Sequence, residues 1–317
     1  MHPCCLARRN ATEYSSYTEA FAPERCTISG MVDRVAPGRS EPSPKSAPPR
    51  FQTPCSPTSV TWWGHATVGI HLAGRTVLTD PVLTGGVGHL VRRRGAAPSI
   101  AARSPDAVVI SHLHSDHTHL PSLALLDRAV PILLPVGAPR RMSGLRRLPN
   151  PLVEIAPGDS MSVAGLTVTA VPAEHDGRRW RFGRSSVPAV GYLLEASLPI
   201  ESVPSSSSVY FAGDTALFDA MSTCVPVCDV ALLPVGGWGP TLGDGHMTPH
   251  DAAIAAAAVS ARWSIPVHYG TLWPRGASRI RPALFHEPGR EFLAECSAIG
   301  KDAHLLQPGE SWTVPPR

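Results

Sequence analysis

The sequence predicts an α/β protein of sheets layered under helices, and three observations carry that expectation. Strand-length apolar or alternating runs recur from Ser59 onward. Segments with helix-start signals interrupt them, and histidines and aspartates fall just beyond the runs. At 317 residues the chain exceeds the usual domain size, but α/β folds of roughly 200–250 residues often form one domain. One large domain with an appendage is expected.

The appendage comes first. Residues 1–58 are rich in Pro and Ser ("APGRSEPSPKSAPPRFQTPCSP") and carry neither helical nor strand periodicity. Such a segment buries too little apolar surface to offset its ordering entropy, so a disordered tail is expected there, followed by one folded domain over 59–317. From Ser59 a β-meander opens: Val68, Ile70 and Leu72 alternate with Thr67, Gly69 and His71, and Ala73-Gly74 makes a turn before Val77 and Leu78. Further strands are expected at 107–110, 131–134, 152–156, 166–172, 188–195, 208–212, 229–235, 265–268 and 303–307. Helices are expected at 121–129, 137–147, 215–222, 249–262 and 289–299. The clearest start is "TPHDAAIAAAAVSARW", where Thr248 caps, Pro249 takes the first helical position and Asp251 completes a capping box.

Composition narrows the function. The formal charge of +3 is too small for a nucleic-acid footprint, and no apolar run approaches the roughly 20 residues of a bilayer span. Seven cysteines, odd in number and without CxxC spacing, indicate neither a disulfide framework nor a cysteine zinc site. The N-terminus has no apolar stretch of the signal-peptide kind. A small-molecule substrate, no nucleic acid, no stable membrane insertion and a cytoplasmic setting are expected; the oligomeric state is left open.

The chemistry is concentrated in "SHLHSDHTH", residues 111–119, directly after the apolar run 107–110. Residues two apart in an extended loop point the same way, so His112 and His114 can offer two imidazole nitrogens to one cation. Asp116 and His117 follow at once, and a turn would aim them at a second position nearby. Zinc favours this nitrogen and oxygen set, and the stretch reads as half of a two-metal site. Taken singly, His175 reads as a surface histidine, Asp214 as a helix cap and His268 as a packed strand-end imidazole. Each nevertheless sits just beyond an expected strand, where loops converge on one sheet edge.

"HLHSDH" at 112–117 resembles the HxHxDH signature of the metallo-β-lactamase superfamily. "PAEH" ending at His175, "GDT" at 213–215 and "PVHYGT" at 266–271 follow in the family's order. The resemblance implies a four-layer αβ/βα sandwich with the metal site at the sheet edge. It further implies that His112, His114 and His175 hold one zinc, that Asp116, His117 and His268 hold a second, and that Asp214 bridges both. Two zinc ions are therefore the expected cofactors, with manganese or iron compatible with the same mixed His/Asp set. "TWWGHAT", "VLTDPV", "GHMTPHDA" and "PVHYGT" are similar to the branch containing ascorbate-6-phosphate lactonase and N-acylphosphatidylethanolamine-hydrolysing phospholipase D.

The implied activity is hydrolysis of a small ester, lactone or phosphodiester, with Asp116 and His246 as catalytic residues. Asp116 would orient the nucleophile and relay a proton, and His246 would stabilise the oxyanion or protonate the leaving group. Asp80 would accept a proton from a ligand imidazole, and His65 would serve a buried hydrogen bond. The arginine clusters at 91–95, 139–147 and 177–184 read as solvated faces, with Arg178 or Arg179 near enough to reach the pocket. Trp238 reads as a substrate contact or a core residue. A phospholipase D-like lipid phosphodiesterase and a non-catalytic metal-binding interaction protein are the alternatives; the tail lacks an amphipathic stripe for the first, and a complete ligand set argues against the second.

Overall fold

The computed structural model describes residues 56–179, 186–196, 207–238 and 242–316. The expected tail lies, up to residue 55, outside the described residues. Three strands open the described part, β1 (Ser59–Gly64), β2 (Thr67–Leu72) and β3 (Arg75–Thr79). The alternation that predicted them is the burial pattern they show: Val68, Ile70 and Leu72 are fully buried. Ala73 and Gly74 join β2 to β3 with φ of 50° and 76°, the paired left-handed conformation that matches hairpin twist.

A short hairpin follows, β4 (Gly86–Val87) and β5 (Leu90–Arg92). Then come β6 (Ala107–Val109), α1 (Leu120–Leu123), β7 (Ile132–Pro135), α2 (Ala138–Arg141) and β8 (Leu152–Ile155). The second half comprises β9 (Ser160–Val163), β10 (Leu166–Pro172), β11 (Val190–Ala196), β12 (Ser208–Phe211), α3 (Met221–Cys224), β13 (Cys228–Pro234) and α4 (Pro249–Ala258). It ends with β14 (Ala261–Val267), β15 (Leu272–Pro274), α5 (Glu287–Ala298) and β16 (Glu310–Thr313).

These strands form a seven-stranded mixed sheet in the order β16-β1-β2-β3-β6-β7-β8 and a six-stranded mixed sheet in the order β14-β13-β12-β11-β10-β9; β15, β5 and β4 form a small third sheet. The main core joins the two large sheets, with Trp62, Ile70, Val77 and Val109 from the first and Val168, Tyr192, Phe211 and Leu232 from the second. A second cluster covers the other side of the first sheet, where Val108, Ile110, Ile132 and Leu134 meet Leu123, Ala138, Met142 and Leu145. Helices α4 and α5 pack on each other and on β14. Two mixed sheets packed on each other, with helices outside them, make the α/β fold expected, although α1 and α2 are single turns.

Several element expectations need correction. The helix expected over 249–262 ends at Ala258, because Ser260 turns left-handed at φ 47° and residues from Ala261 pair in parallel with β13. Burial between sheet neighbours overrides the helical preference of the alanine run. The helix expected over 137–147 breaks after Arg141, where Gly144 packs so closely on Leu120 that an added Cβ would lie 2.4 Å from its Cδ1. The helix expected over 121–129 is the single turn α1, and that at 215–222 forms only over α3. At 303–307 only Ala303 makes a bridge, to Ser264; the edge strand is β16 instead, antiparallel to β1. Strands of two or three residues, β4, β5 and β15, are too short to register as periodicity.

Candidate metal centre

Topology brings the ligand-type residues to one edge. Within the first sheet β1, β3 and β6 run in one direction, and within the second β10, β12, β13 and β14 do. Their C-terminal ends carry His65, Asp80, the 111–119 loop, His175, Asp214, the 236–247 loop and His268 in that order. Left-handed backbone redirects the chain at His65 (φ 54°), Asp80 (φ 35°) and His268 (φ 60°), a conformation costing non-glycine residues roughly 1–3 kcal/mol and concentrated at functional sites.

Two groups form. In the first, His112 Nε2 lies 2.9 Å and His175 Nε2 3.1 Å from His114 Nδ1. In the second, His117 Nε2 and His268 Nε2 are 3.0 Å apart, with Asp116 Oδ2 3.7 and 3.9 Å away. Asp214 stands between them: its Oδ2 is 3.1 Å from His117, 3.2 Å from His268, 3.3 Å from His246 and 3.9 Å from His175. Each of the seven ligand candidates named from the sequence therefore lies in this cluster. His65 joins the second group.

The hydrogen bonds behind the rings decide which nitrogens face forward. His117 Nδ1–H donates to Asp80 Oδ2 (2.7 Å), His175 Nδ1–H to the Gly245 carbonyl (2.8 Å) and His268 Nδ1–H to the Gly236 carbonyl (3.0 Å). Ser111 Oγ accepts from His112 Nδ1–H (2.9 Å) and itself donates to Asp80 Oδ2 (2.6 Å). The Nε2 atoms of His112, His117, His175 and His268 thus face the interior. The Nε2 atoms of His117 and His268, 3.0 Å apart, cannot both be bare toward each other unless a cation lies between them and the carboxylates; without one, a proton on His117 takes that place. The Oδ1 of Asp214 is buried without a hydrogen-bond partner, a further sign that the donor set suits a cation.

Electrostatics agree. Burial pushes His65 and His175 down to about 4 and His112 well below the usual imidazole range, so these rings stay neutral, and His112 and His175 stay able to ligate. Burial alone would raise Asp116 and Asp214, but His117 and the neighbouring histidines hold both well below the ordinary carboxylate range. His117 is raised against its own burial because Asp214, Asp80 and Asp116 surround it. The cluster calls for positive charge at this point, which a proton on His117 meets in part and a divalent cation meets in full.

The remaining candidates divide. His246 is one-fifth exposed at the mouth, its Nδ1–H donating to Gly243 and its Nε2 facing Asp214; the hydrogen bond to Asp214 raises it despite partial burial. Trp238 is 41% exposed, with its indole edge-on to His89 at 5.4 Å, and so is not a core residue. Arg179 Nη1 donates to the Leu113 and Thr118 carbonyls and clasps the 112–117 loop, its charge near enough to act on Asp116, while Arg178 pairs with Asp176. In the 91–95 cluster Arg92 binds the Trp63 and Val82 carbonyls and Arg94 the Phe285 carbonyl, so these two are structural rather than solvated. The end of the third cluster, residues 180–184, lies outside the described residues. Sequence reasoning missed Ser111 and the two anchoring carbonyls, for which no side-chain signal exists.

Comparison with known proteins accords with this geometry. The family model described as the beta-lactamase superfamily domain matches residues 75–269. The chain is 31% identical over 267 residues to a UPF0173 metal-dependent hydrolase of Methanopyrus kandleri, covering 80% of this chain and 98% of that one. Among solved structures, a metallo hydrolase from Ignicoccus hospitalis superposes with a TM-score of 0.61 at 21% identity, covering 83% of this chain and all of that one. An isothiocyanate hydrolase from Delia radicum gut bacteria gives 0.61 at 18% identity, with 81% and full coverage. Both solved structures share the fold.

Proposed function

We propose, from the premise that this chain belongs to the metallo-β-lactamase superfamily and is a metal-dependent hydrolase, that it acts through a dinuclear zinc centre on a small ester, lactone or phosphodiester. The observation that carries this reading is the pair of imidazole clusters sharing Asp214, with Nε2 atoms turned inward by hydrogen bonds from behind. His112, His114 and His175 would hold one ion, Asp116, His117 and His268 the other, and Asp214 both. A bound pair would supply Lewis acidity and make water nucleophilic near neutral pH.

The chain's own residues supply the rest. Asp116, buried and ionised, accepts the proton released as water attacks. His246, facing Asp214 from the open side, donates to the leaving oxygen or steadies the developing charge. His246 and the motifs around it support the finer placement beside the lactonase and phospholipase D branch. The free thiols of Cys224, Cys228 and Cys296 support a cytoplasmic setting as part of the same proposal. No helix among the described residues is long and apolar enough to cross a membrane.

The test is hydrolysis by zinc-loaded protein of bis(4-nitrophenyl) phosphate beside a panel of small lactones and esters, with Asp214→Ala as control. Turnover abolished by the substitution is expected, and the preferred substrate separates phosphodiesterase from lactonase chemistry. Two bound ions with no turnover across the panel would instead favour the non-catalytic reading.

A further inference from the structure

We infer that His65 is a positioning residue for Asp116: its Nε2–H holds the Oδ2 atom and so sets the direction in which that carboxylate faces His117 and His268. The inference rests on the metal-centre reading above and places His65 outside the ligand set, although its nitrogen is near enough to be grouped with Asp116, His117 and His268.

The proton's location identifies the donor. His112, His117, His175 and His268 each anchor Nδ1–H on an acceptor behind the ring and turn Nε2 forward. His65 has no such anchor, since its Nδ1 is buried without a partner. A proton placed on Nδ1 would therefore be stranded, whereas on Nε2 it meets Asp116 Oδ2 at 2.8 Å. This is the shortest of the ring contacts that Oδ2 makes, against 3.7 Å to His117 and 3.9 Å to His268. Asp116 can only accept, so His65 is the donor.

The donor is also held rigidly. His65 is fully buried, and its ring lies against that of His268 with centroids 4.0 Å apart. Its backbone is left-handed, after Gly64 at φ 103° and an irregularity in the pairing of β1 with β2. Three hydrogen bonds hold that conformation: His65 N–H to Thr271 Oγ1 (2.9 Å), and Trp62 Nε1–H (2.9 Å) and His268 N–H (3.0 Å) to the His65 carbonyl. The donor is thus fixed to the same turn that carries His268, and Asp116 and His268 are held in mutual register through it.

Glutamine and asparagine separate this role from packing. The amide nitrogen of a glutamine in place of His65 reaches the Nε2 position, whereas the shorter asparagine amide ends near Nδ1. Apo protein of wild type, His65→Gln, His65→Asn and His65→Leu would be titrated with Zn²⁺ and with Co²⁺, reading stoichiometry, affinity and the cobalt visible spectrum, with melting curves to monitor folding. His65→Gln should bind both ions nearly as wild type. His65→Asn and His65→Leu should weaken one ion by about 10-fold or more and leave the other unchanged. Should His65→Leu fail to fold, the glutamine and asparagine variants still decide.

Equal weakening by the glutamine and leucine variants, or wild-type binding by both the asparagine and leucine variants, would overturn the inference. Long-range ¹H–¹⁵N NMR of the protein as purified reads the tautomer without reference to metal. A proton on Nε2, lost or shifted in Asp116→Ala, is expected, and a proton on Nδ1 would also overturn it. Failure of wild type to bind a second ion would strike the metal-centre reading alone.

Discussion

At the residue scale, the site depends on a few side chains whose surroundings decide their protonation. Asp116 is 4% exposed among three imidazoles and remains ionised, the state a proton acceptor needs. Asp116→Asn should lower kcat by about 10²–10⁴-fold even at metal concentrations that fill both positions, as measured by turnover alongside metal analysis. Full turnover at full occupancy would remove the proton-handling role. The ligand candidates were legible from residue type and spacing because HxHxDH leaves few other uses for four such groups. Asp80 was legible only as a candidate orienting group, and the structure shows what it touches: His117 Nδ1, Ser111 N and Ser111 Oγ. Arg179 was legible as a charge near the site, but the two carbonyls it clasps were not.

At the element scale, loops after strand ends do the positioning, and helix starts secure them. The capping box at Thr248 and Asp251 holds the start of α4 two residues after His246. Thr248→Ala should destabilise the fold by about 1 kcal/mol in urea denaturation while leaving metal stoichiometry unchanged, since neither group touches the cluster. A loss of metal would show that the cap also fixes the 236–247 loop. This helix start could be read from the sequence because capping chemistry is local. Its end could not: Ala258 is followed by more apolar residues, and only pairing with β13 makes Ala261–Val267 a strand.

At the scale of the whole molecule, the buried cluster links stability to pH. His65 and His175 titrate at about 4 in the fold against about 6.5 unfolded, so the unfolded chain takes up their protons first as pH falls. Stability from these two, with His112 acting in the same sense, is present above about 6.5 and is lost progressively toward about 4. Asp116 and Asp214, depressed in the fold, add a further loss below about 3.9. His117 has the opposite sign: its raised value contributes stability below about 6.5 that fades as pH rises through the folded pKa. His114 is lowered as well and His246 raised like His117, so four lowered rings against two raised ones predict that the Tm of metal-free protein falls between pH 6.5 and 4, and that bound ions are released over the same interval because protons compete for the ligands. A flat Tm across this range would contradict the buried, neutral state of these rings. By itself the sequence determined the meander, the order of the motifs and the ligand residue types, because periodicity, capping and donor chemistry are local properties. Only the tertiary structure decided which nitrogen of each ring faces inward, that His65 holds Asp116, and that Asp214 stands between the two groups. Those depend on carbonyls, strand directions and burial contributed by residues as much as two hundred positions apart, and no local pattern encodes them.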